Sequence, residues 1–153
     1  MLRKILMQLF KGTRSLLTGR FYRFINIFFK LFGLRIKDIF VYIDKLNSYI
    51  YIDTNSYHER GILVFGDFEI GTRQYIEKIV STLNNKVVID IGANIGVHTL
   101  NICKSRKNDN IAVLSIEANP EIFNKLKKNV AVNNCQNIFL VNAGVDNKKG
   151  EFE

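Results

Sequence analysis

Residues 87–100 read VVIDIGANIGVHTL, and no other stretch restricts the fold as strongly. Val87 to Ile91 is apolar except for Asp90, and it is as apolar as a strand at the centre of a parallel sheet. Gly92 and Gly96 follow, and the pattern then turns helical. A carboxylate and two glycines at the end of a buried strand need a chemical reason, because a glycine there gives up conformational stability.

The neighbouring segments supply the context. Ser48 to Asp53 alternates as a strand does, residues 55–65 fit neither period, and Thr72 to Leu83 carries Tyr75, Ile76, Ile79, Val80 and Leu83 on one helical side. Asn84-Asn85-Lys86 is a turn. After the strand at Val87–Ile91 a helix is expected over Ile95 to Lys104 and a second buried strand over Ile111 to Ile116. Asn119-Pro120-Glu121 starts the next helix with a capping side chain, a proline at the first helical position and an acid at the positive end; that helix runs to about Val132. A third strand spans Asn137 to Ala143, and Asn147 to Gly150 is a turn. Strand, helix, strand, helix, strand predicts an α/β fold with a doubly wound sheet.

Such sheets bind ligands beyond the carboxyl ends of their strands. Asp90-Ile91-Gly92-Ala93-Asn94-Ile95-Gly96 occupies that place in the first strand–helix turn. Gly92 lets a ligand approach the backbone, Gly96 allows close helix–strand packing, and the helix N-terminus offers free N–H groups. A nicotinamide-binding turn would have glycine where Asn94 stands and would avoid the charge of Asp90 beside a pyrophosphate. S-adenosylmethionine carries an α-ammonium, a sulfonium and no phosphate, so Asp90 suits it. The second strand ends in Glu117, 25 residues after Gly92, where a carboxylate can accept both ribose hydroxyls.

Three segments carry a family resemblance: VVIDIGANIGVHTL, the EANP of Glu117 to Pro120, and LVNAGVDNKKGEF from Leu140. Together they resemble the FkbM family of S-adenosylmethionine-dependent methyltransferases, over about Tyr51 to Glu153, with Phe68-Glu69 similar to that family's aromatic–Glu pair. The resemblance implies a Rossmann-like sheet of the class I methyltransferase type and O-methylation of a hydroxyl on a sugar, a lipid-linked glycan or a secondary metabolite. It implies that Asp90, Gly92, Asn94 and Gly96, with Ala93 in the same turn, line the methionine end of S-adenosylmethionine. Glu117 would hold the ribose, Ala118 and Asn119 would lie near the adenine, and Glu69 would reach the methionyl group. Members of that family continue with an Asp-x-Glu-Gly segment and further strands, so the resemblance implies the N-terminal part of a longer enzyme, incomplete at its C-terminus. It assigns no catalytic base. The competing readings are a nicotinamide-dependent oxidoreductase and a non-enzymatic membrane-surface or interaction protein.

The charge is uneven. Of 22 bases, nine lie in residues 1–37 without a single acid, and the remaining 13 stand against all 14 acids. The expectation is therefore that the net charge of +8 belongs to an arm, and that the partner is a small-molecule or glycan acceptor and no nucleic acid. The arm also carries Leu2, Ile5, Leu6, Leu9, Phe10, Phe21, Phe24, Phe28 and Phe32 near helical spacing. Before Lys30 it has no uncharged run longer than six residues, against the roughly 20 that span a bilayer. It reads either as an interfacial membrane helix or as a cap on the domain or on a second subunit. The chain thus divides into residues 1–37, a basic amphipathic helical extension; 38–85, a strand and helix lead-in; and 86–153, the first half of the methyltransferase domain. A cytoplasmic location, at the inner membrane face if the arm binds lipid, is expected. Cys103 and Cys135 have no metal-ligand spacing and are expected to be reduced thiols, with no metal site; His58 and His98 are isolated in sequence.

Overall fold

The structure, a computed structural model, describes residues 39–67, 69–83, 85–105, 111–148 and 150, with Ile27, Leu31 and Gly33. Apart from those three, the arm expected over residues 1–37 lies outside the described residues, as do Phe68 and Asn84.

The element order is β1 (Ile39–Ile43), a 3-10 turn (Asp44–Leu46), β2 (Ser48–Ile52), α1 (Tyr57–Phe65), α2 (Ile70–Val80), β3 (Val87–Ile91), α3 (Val97–Ser105), β4 (Ala112–Glu117), α4 (Pro120–Val132) and β5 (Ile138–Asn142). Strands β3, β4 and β5 form a parallel sheet in that order, with Ile89 opposite Leu114 and Leu114 opposite Phe139. A helix fills each crossover, as parallel pairing requires. The parallel α/β sheet expected from the sequence is therefore present in β3, β4 and β5.

Alternation along the strands separates the two faces. Val88, Val113 and Ile138 pack with Ile102 of α3 and with Ile76 and Val80 of α2. Leu140 joins Ala93, Leu126 and Val130 of the α4 core. The opposite face carries Val87, Ile89, Ile91, Phe139 and Val141, with Phe139 59% and Ile89 56% exposed. Among the described residues the sheet is thus covered on one side. The antiparallel hairpin β1–β2 packs on the far side of the helices, where Val41, Ile43, Leu46, Ile50 and Ile52 share a core with Ile62, Ile95, Val97 and Leu100.

Several boundaries differ from the sequence reading for local reasons. Helix α1 occupies residues 57–65, which fit neither period; Ser56 caps it by accepting from the Glu59 N–H at 3.4 Å. Helix α2 stops at Val80, where the Ser81 and Thr82 hydroxyls donate to the carbonyls of Lys78 and Ile79 and close the last turn. Helix α3 starts at Val97 because Asn94 and Gly96, at φ 51° and 91°, cannot be helical. Asn119 caps α4 as expected, its Oδ1 accepting from Glu121 and Ile122. The expectation of reduced thiols is corrected. Cys103 near the end of α3 and Cys135 after α4 are joined by a disulfide with Cα atoms 6.0 Å apart; 32 residues of sequence hid a proximity that arises because both crossover helices run back against parallel strands and end side by side.

Candidate functional site

The β3–α3 turn is held from below by β4. The N–H groups of Gly92 and Ala93 both donate to the Ile116 carbonyl at 2.9 Å, and the Gly96 N–H closes the turn onto the Ala93 carbonyl at 2.8 Å. Gly92 sits at φ +74°, and nothing lies within 4 Å of the place a Cβ would take. Gly96, at φ +91°, is different: a Cβ there would meet Leu126 Cδ1 at 2.5 Å. The two glycines therefore do separate things. Gly96 lets α4 approach the turn, and Gly92 leaves open space in front of it. Ala93 is buried against Leu126 and Val130, so it anchors the turn rather than facing that space.

Glu117, the last residue of β4, clamps the turn to the start of α4. Its Oε2 accepts from the Asn94 N–H at 2.9 Å and its Oε1 from the Asn119 N–H at 2.8 Å. A carboxylate has about four lone-pair sites, so each oxygen keeps a place for a hydroxyl donor. Ala118 and Asn119 are exposed beside it. Asp90 is half-buried and its Oδ2 accepts from the Thr99 hydroxyl at 2.6 Å, which in turn meets the Ser115 hydroxyl at 2.7 Å. Thr99 and Ser115 thus set the Asp90 carboxylate; both look like ordinary strand or helix residues in sequence.

Glu69 stands at the N-terminus of α2 in the left-handed region, φ 45°, and makes no capping bond. That backbone costs a non-glycine residue roughly 1–2 kcal/mol. Its Oε2 lies 3.2 Å from Nε2 of His98, the second residue of α3. The structure brings Glu69, across 29 residues, to the first turn of α3, just past the glycine turn, and pairs it with a histidine isolated in sequence. The segment before it is fixed by Asp67, whose buried carboxylate takes Lys45 Nζ at 3.0 Å and Arg73 Nε at 3.0 Å. Burial opposes the Arg73 charge, but hydrogen bonds and attraction to Asp67 and Glu77 outweigh it and hold its pKa above the ordinary arginine value.

Asn142, which carries no motif in sequence, ends β5 by donating from Nδ2 to the carbonyls of Glu117 at 2.8 Å and Ala118 at 3.0 Å. It sets the turn that carries Glu117. The signal available was its place at the end of the third strand, beside the other two strand ends.

The sequence model of the TRM5/TYW2 methyltransferase domain matches residues 61–152. Among solved structures, TYW2 of M. jannaschii in complex with AdoMet is similar at 22% identity and a TM-score of 0.52, over 72% of this chain and 46% of that one. The complex of aTrm5 and tRNALeu is 31% identical over 50% of this chain and 22% of that one, with a TM-score of 0.40. A protein-L-isoaspartate O-methyltransferase is 18% identical over 51% of this chain and 24% of that one, with a TM-score of 0.44. The chain spans between 22% and 46% of the length of these solved structures. No curated protein matches it.

The match bears out the expectation of a methyltransferase domain of the S-adenosylmethionine-dependent kind. The FkbM assignment is corrected to TRM5/TYW2. A glycine turn after the first strand and an acid ending the second serve the cofactor, which many methyltransferase families share, so those motifs do not separate one family from another. The expectation of no nucleic-acid partner is overturned as well by the match to the TRM5/TYW2 family. That expectation had rested on the near-neutral charge behind residue 37 alone.

Proposed function

The chain belongs to the TRM5/TYW2 methyltransferase domain family, and from that premise we propose that it holds S-adenosylmethionine for methyl transfer to a nucleotide of transfer RNA. The observation that carries the reading is the Glu117 clamp: a carboxylate with free acceptor capacity, fixed by two backbone N–H groups, next to a glycine with nothing in front of it.

The residues present fit the cofactor. Glu117 would take the ribose hydroxyls, with Ala118 and Asn119 beside the adenine. Gly92 and Asn94 would face the methionine end, and Asp90, steadied by Thr99, would offer its carboxylate to the α-ammonium. The bound cofactor supplies an electrophilic methyl on a sulfonium. This chain contributes orientation: methyl transfer is a displacement that depends mainly on alignment, and the turn is pinned by β4, α4 and Glu117 before anything binds.

The acceptor is read from the family, from the aTrm5 complex with tRNALeu, and from the charge of this chain. Nine bases without an acid in residues 1–37 are suited to a phosphate backbone. Incubation with methyl-labelled S-adenosylmethionine and separate pools of transfer RNA, glycan and lipid tests this. Label in the RNA pool is the expected result; label in the glycan or lipid pool and none in RNA would return the acceptor to a hydroxyl of the kind the sequence first suggested.

A further inference from the structure

Asn129, on the buried side of α4, and Asn133, which caps the end of that helix one turn later, act as a substitute strand for the free edge of β2. Asn129 Oδ1 accepts from the Tyr51 N–H at 2.6 Å. Asn133 Oδ1 accepts from the Tyr49 N–H at 2.8 Å, and its Nδ2 donates to the Tyr49 carbonyl at 2.7 Å. Tyr49 and Tyr51 face aromatic partners across the hairpin, Tyr42 and Phe40, so α4 takes up backbone groups that β1 leaves unused.

The two asparagines differ in one respect. The Asn129 Nδ2 donates at 2.7 Å to the carbonyl of Ile95, inside the glycine turn. Asn133 makes no such bond; its amide also reaches the Asn129 carbonyl on its own helix. Ile95 stands between Asn94, whose N–H is held by Glu117, and Gly96, packed on Leu126. Its side chain is buried in the same core as Ile50 and Ile52 of β2. A single side chain at 0% exposure therefore joins the hairpin backbone to the backbone of the cofactor turn.

We infer that Asn129 is a positioning residue of the cofactor site, and that through it the β1–β2 hairpin sets the geometry of the glycine turn. The hairpin precedes the matched residues 61–152, so this gives the segment before the family domain a part in cofactor binding. The inference rests on the reading of the β3–α3 turn as the S-adenosylmethionine site.

Asn133 provides the control. Asn129→Ala and Asn133→Ala each take hairpin backbone groups away from their partners, so both variants melt at a lower temperature. Only Asn129→Ala also frees the Ile95 carbonyl. Calorimetric titration with S-adenosylhomocysteine, at a temperature where both variants are folded, is expected to show affinity about tenfold weaker for Asn129→Ala, the loss of roughly one buried hydrogen bond, and unchanged for Asn133→Ala. A second measurement needs no variant. Coupling between two sites is reciprocal, so S-adenosylhomocysteine should slow amide exchange at Tyr51 in the unaltered protein more than at Tyr49. Equal affinity for wild type and Asn129→Ala, equal losses in the two variants, or equal exchange at Tyr49 and Tyr51 would each overturn the inference. Failure of the unaltered chain to bind S-adenosylhomocysteine would overturn the site reading first, and this inference with it.

Discussion

Gly92 and Gly96 look alike in sequence, four residues apart in one turn, yet substitution should separate them. A side chain at Gly92 meets no atom of the protein, so the cost of Gly92→Val falls on the φ +74° backbone and on whatever occupies the open space. Cofactor binding is expected to vanish while the far-ultraviolet spectrum keeps its helical signal; normal binding by that variant would place the site elsewhere. Gly96→Ala drives a methyl into Leu126 and should lower stability by about 1–3 kcal/mol in chemical denaturation. Glu117→Ala is the complementary change. The N–H groups it releases belong to exposed Asn94 and Asn119, so stability should hardly move, whereas S-adenosylhomocysteine binding should weaken by about 1.5–3 kcal/mol as its charge-assisted bonds disappear. Titration calorimetry on the variant beside a thermal melt reads both numbers.

At the scale of elements, legibility followed the range of the forces involved. Strand β3 spans the residues its apolar run predicted, and α4 begins where Asn119-Pro120 caps it, because both signals are local. Helix α1 has no clear period in sequence, although Ser56-Tyr57-His58-Glu59 has capping-box spacing. Its Glu59 does not complete the box: it turns to the Asp53 N–H and to Lys125 Nζ, 66 residues away. Asn129, on the buried side of α4, and Asn133, at its end, gave no sequence signal, since their partners are backbone groups about 80 residues distant. The Asp67–Arg73 pair at the start of α2 was equally silent. With Asp67 removed, the Arg73 guanidinium stays buried with only Glu77 beside it, and Asp67→Ala should cost about 3–5 kcal/mol in urea unfolding. A raised arginine pKa contributes stability that is present below the unfolded value and lost only above it. Arg73 therefore adds no pH dependence across the neutral range, and a steep neutral-pH slope in wild-type stability that disappears in Arg73→Met would contradict that assignment.

Among the described residues the molecule is a three-strand parallel sheet, helices on one of its faces, and a hairpin beyond them, preceded in sequence by a basic segment. Two long-range features bear on its behaviour. The Cys103–Cys135 disulfide closes a loop of 32 residues, which by chain entropy is worth about 3–4 kcal/mol, so reduction should lower the melting temperature of the wild type and leave a Cys103→Ala, Cys135→Ala double variant unmoved. The charge asymmetry makes a prediction about RNA. If residues 1–37 meet phosphates, deleting them should weaken transfer-RNA binding and flatten its salt dependence by about 0.7–0.9 in log–log slope for each phosphate they neutralise. An unchanged slope would assign RNA binding to the domain behind residue 37. Both tests leave the central claim, the identity of the ligand at the β3–α3 turn, to a direct measurement. Calorimetric titration of the unaltered chain with S-adenosylhomocysteine, and in parallel with NAD, decides it. Binding of S-adenosylhomocysteine that weakens in Glu117→Ala, with no heat from NAD, is the result predicted by a carboxylate clamped over an open glycine and by Asn94 in place of a middle glycine. Binding of NAD without S-adenosylhomocysteine would contradict it.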